Sequence, residues 1–179
     1  TAWQTLFDLA RLQSGERLLI HGAAGGIGTY AVQLAKQTGA YVIGNDAADK
    51  EGYLRELGVD RVIDARTERL QDVVGTVDVV LDLVGGDMVQ RSLDVLGRGG
   101  RYVTPAAQPP EEEAARRGIQ VYSTFTQPTV RDLTSIAEQI DAGKLRVVVS
   151  RTFPLEQAQA ALDYKEESET YGKVVITVD

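Results

Sequence analysis

No cysteine occurs in the chain, and only one histidine. The first absence excludes disulfides and thiolate metal sites, and the second excludes a multi-histidine metal centre. No metal site is therefore expected in this stretch. No apolar run is long enough to cross a bilayer and no secretory signal pattern opens the sequence, so the cytoplasm is the expected compartment, with no membrane partner. Lys and Arg number 19 against 26 Asp and Glu, a formal net charge of -7. A chain of that sign is not attracted to a phosphate backbone, and no basic stretch carries interleaved aromatics, so no nucleic acid is expected. The pattern G-x-x-x-x-G-K-[ST] is missing, which excludes a P-loop. There is no internal repeat, no low-complexity tract and no linker.

What is present is 179 residues with 43% hydrophobic and 25% charged content, enough for one domain, 1–179, with a real core. Short β-branched runs alternate with helical patterns. Strands are predicted at 18–20, 41–43, 62–63, 77–84 and 101–104. Helices are predicted at 27–38, 49–57 and from Val89 to Leu96, the last ended by Gly97. Strict alternation implies an α/β, doubly wound, mostly parallel sheet with helices on both faces. Further on, "PPEEEAARRG" reads as a short helix with acids in its first turn and arginines in its last. Val121–Phe125 reads as a strand, Val130–Ile140 as a helix and 147–149 as a strand. Pro154 is predicted to open a helix, and 174–178 to form the last strand. A helical pattern (Trp3, Leu6, Phe7, Ala10) begins directly at Thr1, which suggests a piece of a longer protein.

Four glycines fall within residues 22–28, between the first strand and the first helix. Glycine is costly to order, so such a cluster answers either to unusual torsions or to a ligand against the backbone. The spacing Ala23-x-Gly25-Gly26-x-Gly28 approximates G-x-G-x-x-G, with alanine in the first position. Gly25 and Gly26 let main chain approach a pyrophosphate, and Gly28 lets the helix pack close to the strand. Amides at Ala24, Gly25, Gly26 and Ile27 then face the diphosphate at a positive helix end. Asp46 ends the second strand, where a carboxylate accepts from the ribose hydroxyls of NAD and repels the 2′-phosphate of NADP; its alternative role is an N-cap. Lys50 pulls the other way, since it can reach a phosphate, but Asp49 and Glu51 flank it. NAD is thus slightly favoured over NADP. An S-adenosylmethionine site, which also uses a glycine turn and an acid, stays open.

"TAWQTLFDLARLQSGERLLIHGAAGGIGTYAVQLAKQTGA" resembles the cofactor domain of the medium-chain dehydrogenase/reductase superfamily. The nearer likeness is to its zinc-independent, quinone-oxidoreductase-like branch. "LRELGVDRVIDA", "VDVVLDLVGG", "SLDVLGRGGRYV", "IDAGKLRVVVSRTFPLEQAQAAL" and "GKVVITV" extend the likeness over nearly the whole chain. The resemblance implies a Rossmann domain binding NAD(P)H and serving hydride transfer to a quinone, an enone or a related carbonyl compound. It also implies an N-terminal GroES-like domain that builds most of the substrate pocket and is absent from this sequence. Residues 155–179 would pack on that domain. The NADP-preferring members tend to carry hydroxyl and basic residues after the second strand, where this chain has Asn45, Asp46, Ala47, Ala48 and Asp49.

The nicotinamide is expected beyond the carboxyl ends of the strands, bordered by Val84, Gly85, Thr104 and Phe125, with Ala65 near the adenine. His21 reads as a packed, hydrogen-bonded residue. Asp82, inside an apolar strand, must find donors, either a ribose or backbone amides. No catalytic acid is assigned. The isolated chain is expected to be inactive, and the competing reading is a non-catalytic dinucleotide sensor or scaffold. The edge of "VYSTF" invites pairing with a second copy.

Overall fold

A computed structural model describes residues 1–166 and 170–178. Six strands form one parallel sheet: β1 (Arg17–His21), β2 (Tyr41–Asp46), β3 (Arg61–Asp64), β4 (Val77–Asp82), β5 (Leu96–Thr104) and β6 (Gln120–Ser123). Their spatial order is β3-β2-β1-β4-β5-β6. The order reverses beside β1, so the crevice above the carboxyl ends of β1 and β4 is the topological switch point. The helices are α1 (Gly28–Thr38), α2 (Glu51–Glu56), α3 (Leu70–Val73), α4 (Met88–Val95), α5 (Glu111–Arg117) and α6 (Val130–Asp141). Beyond them, β7 (Val149–Pro154), α7 (Ala158–Glu166) and β8 (Lys173–Thr177) form a separate unit in which β7 and β8 pair in parallel.

Successive strand residues point to opposite faces, so apolar runs feed two cores. Leu18, Ile20, Val42, Val79, Leu81 and Val103 face one, where α1 contributes Ala31, Leu34 and Ala35. Leu19, Ile43, Ile63, Val80 and Tyr102 face the other, against Leu70, Leu93 and Ala114. The doubly wound expectation holds.

Several boundaries move, each for a local reason. The first segment is a π-helical turn, Gln4–Leu9, rather than an ordinary helix. Helix α4 ends at Val95, not at Gly97, because Leu96 already pairs with Val77 in the sheet. The next paired residues are Val79 and Arg101, so Gly97–Gly100 bulge out of β5 opposite Asp78. Strand β6 stops at Ser123, short of Phe125, which is 96% exposed. Pro154 closes β7, where lacking an N–H is tolerated at the end of an edge ladder. It also caps a 3-10 turn, Leu155–Gln157, that leads directly into α7, so the helix expected after Pro154 is present and starts as a tighter turn. Helix α3 carries too short an apolar pattern to be read from sequence; Leu70 and Val74, with half-buried Val73, anchor it.

Asp82 shows what holds the exit of β4. Fully buried, it accepts through Oδ1 from the amides of Val84 and Gly85, each at 2.9 Å, and through Oδ2 from the Tyr102 hydroxyl at 2.6 Å. Of the two readings from sequence, the backbone amides are the ones it meets. Burial, and then the carboxylate beside it, hold the Tyr102 hydroxyl protonated far above the usual phenol range. Replacing Tyr102 by Phe leaves one buried carboxylate oxygen without its donor. We expect a loss of about 2–3 kcal/mol, measured by urea unfolding, with an unchanged denaturant slope.

Candidate functional site

The site begins where β1 ends. From Gly22 to Ile27 the chain turns tightly, with the Gly25 amide donating to Gly22 O at 3.1 Å and the Thr29 amide to Gly25 O at 3.0 Å. Gly28 then opens α1 directly against the turn. A Cβ at Gly28 would lie 2.3 Å from Gly22 O and 2.5 Å from Ala23 O, both backbone atoms that cannot move aside. Only glycine lets this helix start so close to the strand that feeds it.

Asp46 fastens the turn from the neighbouring strand. Its Oδ2 accepts from the Ala24 amide at 2.8 Å and its Oδ1 from the Ala47 amide at 2.9 Å. It does not cap the next helix, whose N-cap is Ala47 without a side-chain bond. Ala65, after β3, donates its amide to Asp46 O at 2.8 Å, which places both residues at one end of the site. Lys50 is buried, with its ammonium 3.0 Å from the Asp49 carboxylate. At the other end lie Val84, 58% exposed, and Gly85, which is buried. Thr104 is buried too, and its Oγ1 accepts from the Ala106 amide at 2.9 Å. Phe125 stands past the end of β6.

Two lysines that the sequence reading did not single out complete the site. The segment after residue 169 returns over the glycine turn, where the Gly172 amide donates to Ala24 O at 2.9 Å and Tyr171 stacks on Tyr53 with ring centroids 4.3 Å apart. Lys173 lies so close over Gly26 that a Cβ there would sit 2.7 Å from Nζ. Together with Gly25, Gly26, Ile27, Leu83 and Lys165, it lines a cavity of about 440 Å³. Burial, and then the charge of Lys165, lower the pKa of Lys173. An anion in the cavity would offset both effects by favouring the charged ammonium. The signal in the sequence was the one basic residue in "GKVVITV", but nothing local says that a strand so distant in the chain folds back over the turn.

His21 lies beneath the turn, fully buried. Asn45 Nδ2 donates to its Nδ1 at 2.7 Å, so the ring proton sits on Nε2, which meets Ser92 Oγ at 3.0 Å. Ser92 in turn donates to Met88 O at 2.6 Å. Burial pushes the imidazole down to about 4, against a partial opposing pull from Asp82. It is neutral at pH 7 and serves as packing within a polar chain in which Asn45 Oδ1 is left buried without a partner.

A glycine turn joining β1 to α1 at the switch point of such a sheet defines a Rossmann-type dinucleotide-binding domain. The family model described as zinc-binding dehydrogenase matches residues 57–176, and the chain belongs to that family, as the cofactor-binding domain of a medium-chain dehydrogenase/reductase. Among solved structures it is similar to the quinone oxidoreductase of Coxiella burnetii, with a TM-score of 0.93 and 33% identity, covering 100% of this chain and 57% of that one. It is also similar to the CurK enoyl reductase, with a TM-score of 0.86 and 30% identity over 99% of this chain and 59% of that one. Among curated proteins, polyketide synthase GfsB of Streptomyces halstedii is 35% identical over 99% of this chain and 3% of its own length. The mitochondrial NAD(P)H oxidoreductase RTN4IP1 of Danio rerio is 28% identical over 99% of this chain and 54% of its own. The chain thus spans little more than half of its single-enzyme relatives and a small part of the synthases.

The family's zinc does not fit this stretch. The chain has no cysteine, its histidine is held between Asn45 and Ser92, and no metal-binding cluster of His, Cys, Asp or Glu exists among the described residues.

The buried imidazole carries a pH prediction. The folded state resists protonation to about pH 4, whereas an unfolded histidine binds a proton near 6.5. Stability is therefore complete above about 6.5 and falls as pH drops from there toward 4, by up to a few kcal/mol. Urea unfolding from pH 7.5 to 4.5 should show this decline. A His21→Gln variant, though less stable at pH 7, should lose less across the same interval.

Proposed function

We propose that this domain binds NAD(P)H for an oxidoreductase that delivers hydride to an electron-poor conjugated carbonyl compound, such as an enoyl thioester or a quinone. The observation that carries the reading is the bare glycine turn facing two lysines across a cavity at the sheet's switch point. The resemblance to a quinone oxidoreductase and to an enoyl reductase supports the substrate class. The similarity to modular polyketide synthases favours the enoyl thioester.

The chain's own groups bind and orient. The turn amides of Gly26 and Ile27 and the N-terminus of α1 donate to the diphosphate, on a turn braced by the Ala24 and Gly25 amides through Asp46 and Gly22, while Lys165 and Lys173 neutralise its charge from the opposite wall. Asp46 keeps lone pairs for a ribose after its two amide bonds, and Lys50 is engaged with Asp49. This pair of observations supports NAD over NADP. Val84, Gly85, Thr104 and Phe125 border the redox ring, and Ala65 the adenine. A bound dihydronicotinamide supplies the hydride. The proton donor and most of the substrate pocket belong to a GroES-like domain, and the 179-residue chain alone does not turn over. Leu155, Leu162, Ile176 and Val178 are exposed on the C-terminal unit and offer that domain an apolar seat. Strand β6, at the sheet edge, offers pairing to a second copy. Zinc plays no part in this reading.

Fluorescence titration tests it. NADH should bind, NADPH more weakly, and S-adenosylmethionine should not compete. Lys173→Met should weaken NADH and ADP-ribose about tenfold by removing a charge-assisted contact, while leaving adenosine affinity unchanged. Absence of NADH and NADPH binding by the wild-type chain overturns the reading.

A further inference from the structure

A second cavity, of about 360 Å³, opens at the opposite end of the sheet, among the amino ends of β1, β4 and β5. The glycine bulge of β5 forms one wall and the end of the π-helical turn another. Three arginines line it, Arg11, Arg98 and Arg101, against two acids, Glu16 and Asp78. In a chain of net charge -7, this is a local reversal of sign.

The acids are already committed. Glu16 accepts from Arg101 Nη2 through Oε1 and from the Gln13 amide through Oε2. Asp78 accepts from the Arg17 amide at 2.8 Å. The arginines are only partly used. Arg101 donates from Nη1 to Ala10 O at 2.8 Å, but its Nε is buried without a hydrogen-bond partner. That donor is closed off from solvent, so Arg101 forms the floor of the cavity, while Arg11 and Arg98 stand open to it. Among the described residues, neither Arg11 nor Arg98 makes a side-chain hydrogen bond or an ion pair. Arg11 is also the one non-glycine residue among them with a left-handed backbone, φ 50°. That conformation is unfavourable for any residue carrying a Cβ.

The bulge itself is compact. A Cβ at Gly100 would lie 2.8 Å from Gly97 O, so main chain, not side chain, forms this part of the wall. Guanidinium groups around a cavity walled by bare backbone match the oxygens of a phosphate group, and the volume suits a small molecule.

We propose that this cavity is a second binding site, for a small molecule carrying a phosphate group, on the side of the sheet away from the dinucleotide. Its occupant takes no part in hydride transfer. Arg101 is followed in β5 by Tyr102, which donates to Asp82 at the exit of β4, so the two ends of the sheet share a strand. The proposal stands independently of the dinucleotide reading.

Amide NMR with inorganic phosphate as the probe tests it, with acetate and chloride at matched ionic strength as comparisons. Phosphate should shift the Gly97, Gly99 and Gly100 signals saturably, and acetate more weakly. The double variant Arg11→Gln, Arg98→Gln, at two exposed positions, should weaken phosphate about tenfold with an unchanged spectrum elsewhere. Shifts confined to residues 22–28, equal shifts with chloride, tighter binding of acetate, or an unaltered affinity in the double variant would each overturn the proposal.

Discussion

The whole arrangement depends on one absence of volume. Helix α1 starts where a single Cβ at Gly28 would collide with two carbonyl oxygens of the preceding turn. Because no atom fills that place, the helix N-terminus sits directly over the end of β1, and its unpaired amides are gathered on one side of the turn. Asp46 then ties the Ala24 amide to the end of β2, so the turn is held from the neighbouring strand as well as by its own helix. Backbone geometry is fixed before any ligand arrives, which lowers the ordering cost of binding.

Below the turn the fold accepts buried polar groups and links them into networks, with Asn45 Oδ1 left over. The chain Asn45–His21–Ser92–Met88 spans from β2 to α4, while Asp82 and Tyr102 link β4 to β5. The Asp82 network joins the end of β4 to the loop that leaves it, and the His21 chain joins the ends of β1 and β2 to α4, the helix that follows β4. An apolar core would pack these strands as well but would not specify where each chain exits the sheet. The site is made of such exits, so here the networks serve position more than stability.

The parts of this architecture that could be read from sequence are those whose signals are local. Strand, glycine turn and amphipathic helix follow one another within residues 18–38, and the capped helix of "PPEEEAARRG" needs only its own ten residues. The bulge of β5 is hidden in the sequence because Gly97 looks like a helix stop. Only the pairing of Leu96 with Val77 across the sheet makes it a strand residue. Asp46 was singled out for a ribose, but its engagement with Ala24 depends on the register of β2 beside β1. Lys165 and Lys173 went unnoticed because the contact that brings the last strand over the turn, Gly172 to Ala24, joins residues at opposite ends of the chain. Periodicity and turn chemistry report the frame; charge brought in from distant segments is visible only once the frame is closed.

That distribution of charge bears on how the proposed dinucleotide site would select anions. Acids outnumber bases in the chain, so the long-range field repels a dinucleotide or any phosphate. Attraction must come from cations whose own charges are crowded or desolvated, as Lys173 is beside Lys165. Such groups act at short range, within a Debye length of roughly 8–10 Å. An anion that cannot enter the cavity gains nothing from them, while one that fits meets lysine charge and helix amides together. In the proposed site selectivity would follow from geometry first and charge second, because the burial and crowding of Lys173 exist only in the folded cleft.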